Sequence, residues 1–307
     1  MTYKVLLYIL GLISFYSCSG TRPSITALCE IDEKGDCILK WELFPERDNV
    51  SIEIYASDND SVFPSTPIVT TLANNYITVI NKGDSLGYKY FRLKVDNVTS
   101  GVISNRFYNM DSVQNFRDMG GYRTVDGRQV RWGKLFRSGD FSRLTKRDKL
   151  TLDGLKLKTI IDFRPMSIAN RRPDRLVVDN YYYLPVTERS YDKISDRIIN
   201  GQFYRGDAVI YTQDLYKDIV ENYSYIYADF FNKLCNEKNY PVAFHCFLGK
   251  DQTGIAAYFL LRALNVSSEI AEDDYRYSNI GIKKAKLIND VDELSESGQE
   301  ALTMITR

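Results

Sequence analysis

Histidine is almost missing from this chain: His245 is the single one in 307 residues. That excludes a multi-histidine metal centre and any serine–histidine catalytic pair away from position 245. Net charge is missing as well. Lys and Arg total 40 and Asp and Glu total 40, so no global field draws the chain to nucleic acid or to an anionic membrane. Five cysteines occur without any Cys-x-x-Cys spacing, which argues against a zinc site. There is no internal repeat and no low-complexity tract. The N-terminal apolar run, Val5 to Tyr16, is too short to span a bilayer comfortably and has the proportions of an export signal.

What is present is an ordinary globular composition, 44% hydrophobic and 26% charged, with room for one large or two modest cores. Residues 1–20 are read as a leader. Ser17-Cys18-Ser19-Gly20 after the apolar run resembles a bacterial lipoprotein signal, although Phe15 and Tyr16 are bulkier than usual there. That resemblance implies cleavage before Cys18 and lipid attachment to it; an ordinary secretory signal or an uncleaved anchor are the other readings. Each places the mature chain outside the cytoplasm, and the first anchors it in the cell envelope, facing the periplasm, where disulfides persist.

Residues 21–110 alternate apolar and polar positions over short stretches. Cys37–Leu43, Val50–Tyr55, Tyr76–Ile80, Tyr88–Val95 and Val102–Tyr108 read as half-buried strands separated by Gly, Asp and Asn clusters. A polar linker precedes them. The pattern predicts a small antiparallel β-sandwich. Trp41 and Tyr88-x-Tyr90-x-x-Leu93-x-Val95 resemble a fibronectin type III domain. Cys29 and Cys37 flank a turn and are candidates for a disulfide across the first hairpin, or for two reduced, half-buried thiols. No catalytic constellation occurs here, so the segment is expected to be a spacer or docking module.

From residue 111 to 307 helical periods alternate with short apolar runs, which predicts an α/β domain: a mostly parallel sheet covered by helices. Val130–Gly139 reads as an edge strand or hairpin arm. Thr145-Lys146-Arg147-Asp148 is a capping box opening a helix to about Leu155. Leu157–Ile161 reads as a buried strand ending at Asp162-Phe163-Arg164, and Tyr181–Val186 as another. Residues 190–208 are expected to form a loop or short helix over the rim. Leu215, Ile219, Val220, Tyr223, Ile226, Phe230 and Leu234 make the apolar face of one long helix. Helices are expected over Ser268–Tyr277 and Ile280–Leu294.

The stretch with the most chemistry is Ala243-Phe244-His245-Cys246-Phe247-Leu248-Gly249-Lys250-Asp251-Gln252-Thr253-Gly254. It joins an apolar strand to an apolar helix from Ile255 to Leu264 through a glycine-bearing loop. Such a loop aims N–H groups and the positive end of a helix dipole at one spot, which suits phosphate. A thiol near a helix N-terminus ionises more easily, so Cys246 is expected to be partly thiolate and nucleophilic.

His245-Cys246-x-x-Gly249-Lys250-Asp251-x-Thr253-Gly254 resembles the signature loop of the bacterial atypical tyrosine-phosphatase-like enzymes, His-Cys-x-x-Gly-Lys-Asp-Arg-Thr-Gly. Asn115-Phe116-Arg117-Asp118-x-Gly120-Gly121, Arg137-Ser138-Gly139, Asp162-Phe163-Arg164 and Asp274-Tyr275-x-x-Ser278-Asn279 fit the same family in order, covering about residues 113–280. The resemblance implies a phosphocysteine formed on Cys246, with the backbone of Phe247, Leu248, Gly249, Lys250, Gln252 and Thr253 around the phosphoryl oxygens. It implies that His245 fixes the cysteine, that Lys250 adds charge, and that Asp251 is the general acid, with Asp162 as the second candidate. A salt bridge to Arg117 or Arg164 is the competing role for Asp162. No metal or other cofactor is expected.

One position departs from the family. Its loop arginine, a charged fork for two phosphoryl oxygens, is Gln252 here. Lys250, Arg164 or Arg117 are candidates to substitute in part. Two functions therefore stand side by side: an exported phosphatase of phosphotyrosine-like or other phosphorylated substrates, whether protein, phosphoinositide or small molecule, and a pseudophosphatase that binds such ligands without turnover. A third reading makes the β domain the working part of an envelope interaction protein.

Overall fold

The computed structural model describes residues 23–32, 34–81, 90–187, 192–284, 287–288 and 291–307. Cys18 and the leader lie outside the described residues, as do Tyr88 and Lys89. No helix among the described residues is long and apolar enough to cross a membrane.

The N-terminal part is all β: β1 Ser24–Ile31, β2 Cys37–Phe44, β3 Ser51–Ser57, β4 Val69–Leu72, β5 Ile77–Ile80, β6 Tyr90–Val95 and β7 Val98–Thr99. They make two antiparallel sheets, ordered β1-β2-β5 and β4-β3-β6-β7. Period-two alternation turns Leu39 and Trp41 of β2, Ile52 and Ile54 of β3, and Phe91 and Leu93 of β6 into one core. Trp41 Nε1 donates to the Ala73 carbonyl at 2.7 Å, so the buried indole keeps its hydrogen bond.

One expectation changes here. The run 102–108 is not a continuous strand: Ile103 pairs with Phe91, Asn105 with Cys29 and Phe107 with Arg117, so successive residues lace three different elements. Cys29 and Cys37 are free, buried thiols. The hairpin register sets Cys29 opposite Leu39 and Cys37 opposite Ile31, so the two sulfurs are diagonal neighbours, not direct partners.

The C-terminal part contains β8 Arg117–Asp118, β9 Leu135–Ser138, α1 Lys146–Leu155, β10 Thr159–Asp162, α2 Met166–Arg171, β11 Asn180–Tyr183, α3 Asp192–Ile199, α4 Arg205–Asn222, α5 Ser224–Leu234, β12 Val242–His245, α6 Asp251–Ala263, α7 Ser268–Arg276, α8 Ser278–Gly281 and α9 Glu296–Thr306. The sheet runs β11-β10-β12-β9-β8 and is parallel except for the β8–β9 pair. The architecture is therefore α/β with a small antiparallel β-sandwich before it. Strand β9, expected as an edge strand or a hairpin arm, lies inside the sheet and pairs antiparallel with β8.

Register decides what meets at the carboxyl ends of the strands. Asp162 lies opposite His245, and His245 opposite Ser138. Ligand crevices in such sheets open at this end. The predicted capping box is present at Thr145 and Asp148.

The long helix expected through Leu215 and Leu234 is two. It breaks at Tyr223, whose φ of −126° and ψ of 10° leave the helical region. Leu215, Ile219, Phe230 and Leu234 stay in the core, while Val220, turned about 100° round α4 from buried Ile219, is 61% exposed. The helix expected over 280–294 is not continuous among the described residues: α8 ends at Gly281 and Ile282 is extended. The Gly281 carbonyl accepts from Asn115 N–H at 2.9 Å, so this chain end serves another segment. Ile194 and Ile198 of α3, Ala208 of α4 and Leu302 and Ile305 of α9 pack into a separate cluster that includes Leu248 of the cysteine loop.

Candidate active site

Strand β12 ends at His245, the five loop residues from Cys246 to Lys250 follow, and α6 starts at Asp251. Only glycine fits at 249. Its φ is +67°, and a Cβ there would lie 2.2 Å from the Ser138 carbonyl oxygen. Outer groups pin the loop's carbonyls. Asn115 Nδ2 donates to Gly249 O at 2.9 Å and to Leu248 O at 3.3 Å, and an Arg137 terminal nitrogen donates to Gly249 O at 2.8 Å. In a planar trans peptide the N–H points opposite the C=O. Holding these oxygens outward therefore turns the N–H groups of Gly249 and Lys250 inward, toward the cysteine.

The pinning groups are themselves fixed. Asp274 Oδ2 accepts from Arg137 at 2.5 Å, and its Oδ1 from Arg117 Nε at 3.2 Å and Tyr122 Oη at 2.9 Å. Arg117 also donates to Asn115 Oδ1 and, at 2.7 Å, to the Asp274 carbonyl. Arg117 and Arg137 are fully buried. Burial works against the Asp274 carboxylate, but the two guanidiniums outweigh it and hold Asp274 well below the usual carboxylate range. Burial, with Arg137 nearby, lowers Arg117 to about 10. Arg117 is thus corrected from a substrate-binding candidate to a buried support of the loop: its donors are engaged behind the cradle.

A second buried cluster sits under His245. Arg164 grips Asp162 through Nε, at 2.9 and 3.1 Å, and a terminal nitrogen at 2.7 Å; it also reaches Asp174 at 3.0 Å. Tyr181 Oη lies 2.7 Å from Asp162 Oδ2 and 2.9 Å from Asp174 Oδ2. Asp162 and Arg164 have no solvent exposure. Asp162 is therefore not placed to act as a general acid, nor Arg164 to meet a substrate; of the readings of Asp162, the salt bridge to Arg164 is the one present. Asp162, Asp174 and His245 lie close enough to ligate a cation, and the Arg164 guanidinium already supplies positive charge to both carboxylates.

His245 Nε2 lies 2.9 Å from Asp174 Oδ2, though off the line of a good hydrogen bond, and Nδ1 is 3.3 Å from the Cys246 carbonyl oxygen. Burial opposes the imidazolium, but Asp174 and then Asp162 outweigh it, so the His245 pKa lies above its ordinary value. A raised folded-state pKa contributes stability fully below the unfolded value, and that contribution is lost as pH rises through the folded value. Asp174→Asn is expected to move the His245 titration below its ordinary range, since burial and Arg164 then act against less opposing charge. With one histidine in the chain, proton NMR of the imidazole reads this directly; an unmoved midpoint would refute the pairing. Asp174 was missed at the sequence level because it follows α2 in an irregular Arg172-Pro173-Asp174 turn with no periodic signal.

In the cradle itself Cys246 is 2% exposed. Burial pushes its thiol up, opposed by the Thr253 hydroxyl and by the N–H groups of Thr253 and Gly249; Asp251 adds to the rise. The Thr253 hydroxyl favours the thiolate without making a bond of full hydrogen-bond geometry. The helix N-terminus was expected to leave Cys246 partly ionised. Burial opposes that ionisation and raises the Cys246 pKa. Lys250, 2% exposed, places Nζ 2.7 Å from Asp251 Oδ1. Burial disfavours its charge, but Asp251 more than restores it, so its pKa is raised. The loop's lysine and aspartate thus offset each other. The Gln252 carbonyl accepts from Tyr227 Oη at 3.1 Å, while its carboxamide bonds to no described residue. Alkylation of Cys246 by iodoacetamide is expected to rise with pH through a midpoint above that of an ordinary thiol, and Gln252→Arg to shift the midpoint down. A midpoint below neutral in the wild type would contradict the desolvation argument.

Residues 108–305 match the family described as the Tyrosine phosphatase family, well over half of the chain, and the chain belongs to that family. Among individual proteins it is 32% identical over 174 residues to the Cupriavidus necator protein H16_A0669, whose name assigns it to the tyrosine-protein phosphatases. That match covers 55% of this chain and 62% of the relative, so the chain spans less than two thirds of that relative's length. It is 25% identical over 194 residues to the triple specificity protein phosphatase PtpB of Mycobacterium tuberculosis, covering 56% of this chain and 69% of PtpB. A solved structure, the core catalytic domain of the S. cerevisiae PP-IP phosphatase SIW14, aligns at 15% identity over 57% of this chain and 87% of that one. Its TM-score of 0.30 adds nothing to the family assignment.

Proposed function

We propose that this chain is an exported cysteine-dependent phosphatase that hydrolyses phosphate monoesters of the phosphotyrosine type. The observation that carries the reading is the placement of Cys246 at the end of β12, inside a loop whose carbonyls Asn115 and Arg137 pin outward, at the N-terminus of α6. Cys246 as thiolate attacks phosphorus, the S–P bond forms as the ester P–O bond breaks, and Asp251 protonates the departing oxygen. Water then cleaves the phosphocysteine, giving its proton to Asp251. Loop N–H groups hold the phosphoryl oxygens, and Lys250 adds charge once a dianion competes for it with Asp251. His245 and Thr253 fix the cysteine.

A second reading has specific support. Gln252 brings no charge and the Cys246 thiol is raised, as suits a pseudophosphatase that holds a phosphorylated ligand without turnover. Assay of p-nitrophenyl phosphate and phosphotyrosyl peptides with wild type, Cys246→Ser and Gln252→Arg separates the two. Turnover by wild type and none by Cys246→Ser supports the enzyme. Wild type no better than Cys246→Ser, with a gain in Gln252→Arg, supports the binding module.

The same proposal makes residues 1–20 a leader that leaves Cys18 lipid-anchored in the envelope, which Cys18→Ala tests by releasing the protein from the membrane fraction. Residues 21–110 are proposed as a fibronectin type III-like spacer; the three-plus-four strand order and the Trp41 core support it. In an oxidising compartment Cys29 and Cys37 are proposed to form a disulfide, read by the mass of the non-reduced chain.

A further inference from the structure

We propose that the paired hydroxyls of Tyr216 and Tyr275 form a positioning relay that holds Asp251 for proton transfer to the leaving group. This rests on the phosphatase reading above. Asp251 opens α6, Tyr216 comes from α4 and Tyr275 from α7. Tyr216 Oη donates to Asp251 Oδ1 at 2.9 Å, and Lys250 Nζ reaches the same oxygen at 2.7 Å. The two tyrosine oxygens are 2.6 Å apart.

Two donors on one carboxylate oxygen fix the side chain and leave Oδ2, which accepts from no described residue. A general acid needs this division, with one oxygen anchored and the other able to carry the proton. In the first step Oδ2–H passes its proton to the ester oxygen as the P–O bond breaks. In the second, the carboxylate takes a proton from the water that attacks phosphocysteine.

The relay also has a direction. The single proton of Tyr216 is committed to Asp251, so Tyr275 must donate in the tyrosine–tyrosine contact. Tyr275 thereby keeps the Tyr216 proton on the carboxylate. The ring of Tyr275 is seated by Gly254, where a Cβ would lie 2.9 Å from its Cδ2 and Cε2. Burial, with Asp251 adding to it, raises the Tyr216 pKa, so it stays a neutral donor. Asp274 anchors the back of the loop, and its neighbour Tyr275 serves the front. The Asp274-Tyr275-x-x-Ser278-Asn279 motif thus supports both sides of the cradle.

The test uses the full chain, in whichever of wild type and Gln252→Arg turns over, with two probes: phenyl phosphate, whose leaving group needs a proton, and p-nitrophenyl phosphate, whose leaving group needs little help. Tyr216→Phe and Tyr275→Phe are each expected to lower kcat on phenyl phosphate roughly tenfold, part of the 10²–10⁴-fold that general acid catalysis supplies. The loss on p-nitrophenyl phosphate should be clearly smaller, and in an Asp251→Asn background neither variant should cost more. Equal losses on both substrates, or undiminished losses without Asp251, would overturn the relay while leaving the phosphatase reading intact. No turnover of either probe by wild type or Gln252→Arg would instead sink the phosphatase reading, and the relay with it.

Discussion

Replacing Gln252 by arginine is expected to raise turnover of p-nitrophenyl phosphate by roughly 10²–10³-fold, the usual worth of one preorganised donor aimed at developing charge. The reason lies in the charge count of the cradle. Lys250 is offset by Asp251 at 2.7 Å, and Gln252 is neutral, so under the proposed function the loop would hold a dianion mainly with peptide dipoles. A guanidinium adds a full charge and a fork that matches two phosphoryl oxygens. It also favours the thiolate over the thiol, so the gain should appear in kcat and in the pH profile, not in KM alone. Stopped assays across pH, alongside Cys246 alkylation, check both. A variant whose thiol ionises more easily but whose kcat stays flat would show that charge at 252 is not what limits this site.

Asp274→Asn is expected to lower folding stability by about 3–5 kcal/mol, because it leaves Arg117 and Arg137 buried with no carboxylate between them. Urea unfolding measures it. Tyr122→Phe, which removes one hydrogen bond to the same carboxylate, should cost only about 1 kcal/mol. The pH dependence has a definite sign. Asp274 is depressed in the folded state, so its contribution is present above the unfolded carboxylate value and lost as pH falls toward the folded one. Asp274→Asn should therefore flatten the acid limb of the stability profile. Similar losses in both variants would mean that hydrogen bonding, not charge, sets the strength of this cluster.

Much of the fold was readable because its signals are local. Period-two alternation marked β2, β3 and β6, and Thr145 with Asp148 marked the start of α1. Where a signal depended on distant partners, it misled. The three- and four-residue spacing through Val220 ran across a break at Tyr223, since spacing records which residues are apolar and not the axis they follow. The run 102–108 looked like one strand, although its residues pair with β6, β1 and β8 in turn.

The candidate site divides in the same way. Sequence by itself determined the candidate nucleophile, the glycine turn, Lys250 beside Asp251, and the anomaly at Gln252, because those residues are contiguous and their proposed chemistry follows from a strand, a loop and a helix N-terminus. Only the tertiary structure decided which of the other charged side chains face a ligand. Arg117 and Arg137 close on Asp274, far along the chain, and Arg164 closes on its near neighbour Asp162 and on Asp174, since a buried charge is tolerable only beside its opposite. The ionisation of Cys246 likewise depends on three dimensions: a helix N-terminus favours the thiolate, and the depth of burial, set by the whole packed domain, opposes it.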